Sequence, residues 1–412
     1  MTNNKFHYQC TNCGTQYSES QVTYLCQVCS ESNSTELPPK GVLKTNYNYQ
    51  KLIDEGITFS KLVQSKFLEL LPINSLDSLP NLKIGDTPLY SIDKIDNSKL
   101  PFNLMLKDDS QNPTYSFKDR ASSVVSAYAK EKGWDHIVTA STGNAGSSLA
   151  GICAAQGQKA IILVPESAPS AKLTQILMYG AKIIPVKGTY DDAFDLSIEA
   201  TNEFGWYNRN TAFNPLTIEG KKTVAFELFE QLNFDIPDRV FVPVGDGVII
   251  SGVYKGFEDL LKLQIIKNMP IIVGVQAEKS NNLIRNINNS GFEIVKSATI
   301  ADSISVDIPR NFYMAQKYIQ DYKGEYVSVT DEEIQESSQI LSKNTGLFAE
   351  PAAAAAFAGM LAYKNTNKLP DNSNNVVLLT GSGLKDLKSV SGFLNVPDSI
   401  LPTIENMKKL LS

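Results

Sequence analysis

Three times in this chain a short apolar run ends in a glycine-rich turn and passes straight into a helical stretch. Ile137-Val138-Thr139-Ala140 meets Ser141-Thr142-Gly143-Asn144-Ala145-Gly146, Val240-Phe241-Val242-Pro243-Val244 meets Gly245-Asp246-Gly247-Val248-Ile249, and Val376-Val377-Leu378-Leu379-Thr380 meets Gly381-Ser382-Gly383. Apolar strands separated by helices of ten or more residues cannot pair as hairpins. They need crossovers, and so a parallel sheet with helices on its faces. Strands over 160–164, 182–186 and 271–275 and helices over 144–156, 171–179, 190–203, 252–262, 334–342 and 351–363 continue the pattern. The series falls into two sets. The expected fold class is α/β, with two three-layer αβα domains of mostly parallel sheets: a small one over 125–230 and a large one built from 36–124 and 231–412.

Four of the five cysteines sit in the first thirty residues, as Cys10-x2-Cys13 and Cys26-x2-Cys29 with twelve residues between the knuckles. The start carries no apolar export segment, and no later run approaches eighteen uncharged apolar residues, so a cytoplasmic location and no membrane partner are expected. In a reducing compartment, paired knuckles supply four thiolates for structural zinc (Zn), with loose reduced thiols as the alternative. The segment between them, with Tyr17, Val22 and Tyr24, suits a pair of small strands, and His7 reads as a bystander. Residues 1–35 then form a zinc-ribbon-like module, with a linker over 31–40. The 44 acidic residues outnumber 38 basic ones for a net charge of −6. That charge does not recruit a polyanion, so no nucleic acid partner is expected.

Lys118 stands in Ser116-Phe117-Lys118-Asp119-Arg120. Ser116 as N-cap and Asp119 at N3 read as a capping box, which places Lys118 at N2 of a helix. The positive helix end disfavours an ammonium there, as suits an amine that must attack a carbonyl carbon; a solvated surface lysine fits the same local pattern. Ser141 to Gly146 reads as a carboxylate nest or as a plain turn into a tightly packed helix. Gly245, Asp246, Gly247, Val248 and Ile249 offer backbone N–H groups to a phosphate, provided Asp246 turns its carboxylate outward or pairs it with a base. The dinucleotide spacing G-x-G-x-x-G and the Walker lysine are absent. Thr380 could meet a ring nitrogen or simply end a central strand. Together, one amine, a phosphate cradle and a carboxylate nest point to pyridoxal 5'-phosphate (PLP).

These segments, with Gly274-Val275-Gln276-Ala277-Glu278, Thr299 to Ile304, Pro309-Arg310-Asn311, Asn214 to Thr223 and Phe348-Ala349-Glu350-Pro351-Ala352, resemble the threonine synthases. That family belongs to the tryptophan synthase β-like, fold type II group of PLP enzymes, some members of which carry an N-terminal zinc ribbon. The resemblance runs from about Gly85 to the end. It implies Lys118 as the Schiff-base lysine, Asn144 beside the cofactor's ring oxygen, Gly245 to Ile249 around its phosphate and Thr380 at its pyridine nitrogen. Ser141 and Thr142 would bind the substrate. Some relatives carry an arginine at the position of Thr217 for the substrate's phosphate. With that charge missing, Arg209, Lys221 or Lys172 is left to replace it, and Arg209 is the leading candidate of the three.

The implied activity is that of a lyase in threonine biosynthesis, converting the small phosphorylated amino acid O-phospho-L-homoserine and water to L-threonine and phosphate. A homodimer is the assembly the pattern allows. Cysteate synthase, acting on O-phosphoserine with sulfite, and threonine dehydratase are the enzymatic alternatives; a zinc-ribbon protein-contact module is the non-enzymatic one.

Overall fold

The computed structural model describes residues 5–391, 394 and 397–411; the first four residues of the start read above lie outside them. The larger sheet has six strands in the order Glu325–Val329, Ile271–Ala277, Arg239–Pro243, Asn374–Leu379, Ser98–Asp108, Leu89–Ile95. All neighbours are parallel except the last pair, an antiparallel hairpin turned at Asp96 and Asn97, both with positive φ. Two such residues give the turn whose twist matches that of the strands. The smaller sheet, Lys182–Val186, Lys159–Pro165, His136–Ala140 and Tyr207–Asn208, is parallel throughout. Its central strand Lys159–Pro165 is buried from Ala160 to Val164, as a strand covered on both faces must be.

A third sheet pairs Phe6–Cys10 with Gln16–Tyr17 on one side and Leu43–Tyr47 on the other. The expected pair of strands between the knuckles is therefore only one two-residue strand. It pairs with Phe6–Cys10, which runs into the first knuckle, and the sheet's third strand comes from beyond residue 35. Residues 18–24 are spent on turns and bends that return Cys26 to Cys13, and only Leu25 makes a single bridge, to Val42, so too little chain remains there for a second strand.

Leu43–Tyr47 is tied to the body by buried polar contacts. Lys44 Nζ pairs with Glu258 at 2.6 Å, and the Tyr47 hydroxyl donates to Glu219 at 2.6 Å. Just beyond it, the Tyr49 hydroxyl donates to Asp259 at 2.6 Å.

Three helices meet almost backbone to backbone through glycines. A Cβ on Gly220, in the Leu216–Lys221 helix, would lie 1.9 Å from the carbonyl oxygen of Arg120 in the Lys118–Glu131 helix. On the other side, a Cβ on Gly256 of the Val248–Lys262 helix would come within 2.3 Å of the Lys222 carbonyl oxygen. The short Leu216–Lys221 helix is thus clamped between the helix that opens at Lys118 and the helix that opens at the 245–247 turn. That last helix begins at Val248, four residues earlier than the sequence pattern suggests, because Gly247 at φ 83° turns the chain directly into it.

Gly220→Ala should lower stability by about 3 kcal/mol, since neither backbone can retreat without breaking its own hydrogen bonds; the midpoint of urea unfolding measures this. Arg120 ion pairs hold the Glu227 carboxyl down from 4.5 to about 2, and Lys222 and Lys255 hold Asp259 at about 2. Both folded-state values lie below the unfolded ones. Their stabilisation is therefore complete above the ordinary carboxylate range and is lost as pH falls from about 4.5 towards about 2. Unfolding free energy measured against pH should fall across that window, and a Glu227→Gln variant should show a shallower fall.

Candidate active site

The C-terminal ends of parallel strands from both larger sheets open onto one cleft of about 410 Å³. Lys118, Ser141, Thr142, Asn144, Arg209, Lys221 and the whole 245–249 turn line it. Strand ends of this kind are where open α/β sheets gather ligands, because the loops there are free to vary over a fixed scaffold.

Lys118 is the first residue of its helix, and no capping box precedes it: Phe117 is the N-cap and makes no side-chain cap bond. Asp119 instead turns back to accept from the Thr114 amide at 2.7 Å and from the Thr114 hydroxyl at 2.5 Å. Among the described residues, Ser116 Oγ is left buried without a partner. Asp119 therefore braces the loop rather than the helix end, because Tyr115, at φ 67°, folds Thr114 back onto it. The loop is also fastened to the strand end opposite, where the Phe117 amide donates to the Thr380 carbonyl at 2.9 Å.

The Lys118 side chain is half-buried in the cleft wall. Among the described residues its Nζ has no hydrogen-bond acceptor and no ion-pair partner. Burial lowers its pKa, Arg209 adds to the lowering, and Glu350 opposes it. An amine so placed is readily available as the free base.

The helix after the first glycine turn starts at Asn144, whose side-chain amide donates to the buried Glu350 carboxylate at 2.9 and 3.0 Å and reaches Ser303 at 3.4 Å. Burial raises the pKa of Glu350. Glu350, quoted above only as part of a matching segment, proves to be the residue that orients Asn144. The Asp246 carboxylate turns away from the 245–249 turn and accepts from the Arg310 amide at 3.2 Å, which leaves the turn's N–H groups to the cleft. A Cβ on Gly245 would meet Ile304 Cα at 3.0 Å. Thr380 is buried beside the lysine loop and is not among the cleft-lining residues.

Lys172 lies outside the lining and pairs with Asp302 at 2.6 Å, so it does not supply the missing charge. Thr217 is buried and its hydroxyl donates to the Asn214 carbonyl at 2.8 Å. Tyr190, Thr211 and the 302–308 segment also line the cleft. Sequence reading took Tyr190 only as the start of a helix and passed over Thr211.

An amine without a partner, a glycine-lined turn at a helix start and a carboxylate directed away from it together fit PLP. Lys118 would hold its aldehyde carbon and Gly245 to Ile249 its phosphate.

At the other end of the chain, the sulfurs of Cys10, Cys13, Cys26 and Cys29 all lie within 4.8 Å of one another, with Cys10–Cys29 at 3.8 Å and Cys13–Cys26 at 3.7 Å. Tetrahedral zinc–sulfur bonds of about 2.3 Å give edges of roughly 3.8 Å. The four thiols fit a closed structural zinc site, and the Tyr17 hydroxyl lies 3.1 Å from the Cys26 sulfur.

Residues 81–381 match the family described as pyridoxal-phosphate dependent enzyme. The chain belongs to that family. It is 34% identical over 98% of both chains to threonine synthase from Methanocaldococcus jannaschii, and 32% identical, again over 98% of both, to threonine synthase from Methanosarcina acetivorans. The fold is that of the processed threonine deaminase isoform 2 from Solanum lycopersicum, with a TM-score of 0.65 at 23% identity over 82% of this chain and 94% of that one. The architecture of this pyridoxal-phosphate dependent enzyme is thus fold type II, with an N-terminal four-cysteine cluster.

Cys13→Ser should reduce bound zinc, measured by atomic emission, from about one equivalent per chain to substoichiometric levels and lower the melting temperature. Unchanged metal content would refute the four-thiolate site.

Proposed function

We propose that this chain is a threonine synthase, a PLP-dependent carbon–oxygen lyase that converts O-phospho-L-homoserine and water to L-threonine and phosphate. The observation that carries the reading is the 34% identity to the Methanocaldococcus jannaschii threonine synthase along 98% of both chains. The cleft residues suit the reaction. Lys118 Nζ, its pKa lowered by burial, takes the proton from the substrate's Cα and, after passing that proton on, one from Cβ. PLP, when bound, supplies the electron sink for the charge left at Cα. Ser141 and Thr142 hold the substrate carboxylate, and Arg209 faces its phosphate. Asn144, oriented by Glu350, is placed for the cofactor's ring oxygen. Thr380 is assigned to the pyridine nitrogen, where a hydroxyl leaves the ring less electron-withdrawing than a carboxylate would.

The polypeptide divides on this reading into a zinc-ribbon module, a small domain around the four-stranded sheet and a large domain around the six-stranded one. Among the described residues no helix is long and apolar enough to cross a membrane. We assign the enzyme to the cytoplasm, as a homodimer without nucleic-acid partners.

The holoprotein should absorb near the violet edge, lose that band on borohydride reduction and then carry the cofactor's mass on Lys118. Lys118→Ala should lower turnover by roughly 10²- to 10⁴-fold or more. Phosphate release from O-phospho-L-homoserine with formation of threonine is the expected activity. Release only from O-phospho-L-serine in the presence of sulfite would overturn the assignment.

A further inference from the structure

A second cavity, of about 360 Å³, shares a wall with the cleft: Asp191, Thr211 and Arg310 line both. The ribbon and its linker form one side of it through Leu25, Leu37 and Pro39. The helix Tyr190–Phe204 forms the other through Phe194 and Ile198. The ribbon side is fixed to the small sheet, because the Tyr24 ring stacks on Phe213 at 4.5 Å and the Asn208 amide donates to the Tyr24 hydroxyl at 2.9 Å. Ala212, left-handed at φ 63°, turns the chain between Thr211, whose hydroxyl lies 3.4 Å from Arg209 Nη1, and Phe213, which faces the cavity. One tight turn thus carries a wall residue for each space.

Most of the lining is apolar, yet two opposite charges stand on it. The guanidinium carbon of Arg310 lies 3.8 Å from the centre of the Phe194 ring, and the guanidinium pairs with Asp191. Asp195, next to Phe194 in the helix, also lines the cavity and makes no hydrogen bond or ion pair among the described residues. Burial raises its pKa, and Arg310 offsets this only in part. The volume lies near the lower end of the range for small-molecule pockets, about 300–1,000 Å³, which suits a molecule the size of an amino acid better than a nucleotide. A hydrocarbon would leave both charges unanswered, and a simple amine would leave Arg310. A polar side chain would lose its water against Leu25, Phe194, Ile198, Phe213 and Ile308 without gaining a partner. An aliphatic α-amino acid answers all three surfaces.

We propose that this cavity binds a free aliphatic α-amino acid of about the size of leucine, with its ammonium on Asp195, its carboxylate on the Arg310 guanidinium and its side chain against Phe194, Ile198 and Leu25. Binding is independent of the reaction assigned above; its effect on turnover rests on that reading. Arg310 carries the effect to the cleft, since its amide donates to Asp246 of the phosphate-cradling turn at 3.2 Å and its guanidinium neutralises Asp191 in the cleft wall. A ligand carboxylate that takes the guanidinium strips Asp191 of its counter-charge. The exposed negative charge then opposes an anionic substrate, so occupancy raises KM and leaves kcat unchanged.

Calorimetry of the PLP-loaded enzyme with L-leucine measures the binding. A free amino acid can also be captured by the cofactor, so the titration is followed at the cofactor's absorption band and repeated on borohydride-reduced enzyme, in which Lys118 and the cofactor are already joined. One equivalent should bind in both forms with the band unmoved. Leucinamide, which lacks the carboxylate, and 4-methylpentanoate, which lacks the ammonium, should each bind roughly 10- to 100-fold more weakly. Asp195→Asn should weaken leucine binding by a similar factor, and Ile198→Trp, which fills the cavity, should abolish it. Neither residue lines the cleft, so both variants should release phosphate at the wild-type rate without leucine. Saturating leucine should raise the KM for O-phospho-L-homoserine about 2- to 5-fold in the wild type and leave it unchanged in Ile198→Trp. Absence of binding, binding that moves the band or is lost on reduction, or unchanged affinity in Asp195→Asn would overturn the proposal; that last variant carries the test if Ile198→Trp fails to fold. If leucine binds through Asp195 but no phosphate is released from O-phospho-L-homoserine, the cavity site stands and the assigned reaction falls. Turnover of that substrate without leucine binding sinks the site and leaves the reaction standing.

Discussion

Arg120 anchors the arrangement on which the cleft depends. Two residues past Lys118 and fully out of solvent, its guanidinium meets Asp109, just past the end of the Ser98–Asp108 strand, and Glu227 of the Thr223–Gln231 helix, with Thr87 at 3.3 Å. A buried ion pair of this kind adds little over a well-packed apolar substitute, but removing one partner leaves a stranded charge that costs about 3–5 kcal/mol. The network therefore acts as a constraint on geometry more than as a source of stability. It fixes the start of the Lys118–Glu131 helix to the sheet and to the helix behind it, and the amine of Lys118 inherits that position.

The same physics, applied with the opposite outcome, defines the cleft. Where a buried cation has a structural task, the chain places a carboxylate beside it; Arg209 and Lys221, which line the cleft, have none among the described residues. Asp246, which lines the cleft, accepts from the Arg310 amide, and the buried Glu350 beside it accepts from Asn144; Asp191 and Asp302, also in the lining, pair with Arg310 and Lys172. Asp246 and Glu350 are both raised in pKa by burial.

The ribbon enters this scheme through its third strand. Tyr47 and Tyr49 reach the carboxylates that hold Lys222 and Lys255, and Lys222 sits 4.2 Å over the Tyr47 ring. Lys222 follows Lys221 directly in the chain. The metal-binding end of the molecule and the cleft are therefore joined by a few buried contacts and not merely by a linker.

Much of this was legible in the residues themselves. Strand, glycine turn and helix recur because backbone periodicity and the conformational freedom of glycine are local properties, and the two knuckles are legible because metal coordination demands fixed spacing. The strand expected over 182–186 is the strand Lys182–Val186 of the fold. The capping box failed because Asp119 found a buried hydroxyl and amide in Thr114, brought to it by a fold of the loop that no helix-start rule contains. The second strand expected between the knuckles was misplaced because Gln16–Tyr17 pairs with Phe6–Cys10 and the remaining strand, Leu43–Tyr47, lies beyond the motif. What the sequence determined by itself was the kind of chemistry: an amine, backbone cradles and four soft ligands. Which cations would stand without carboxylates was decided only by tertiary structure, because pairing depends on which distant segments are brought within a few ångströms, and Arg120 and Arg209 look alike until the chain is folded around them.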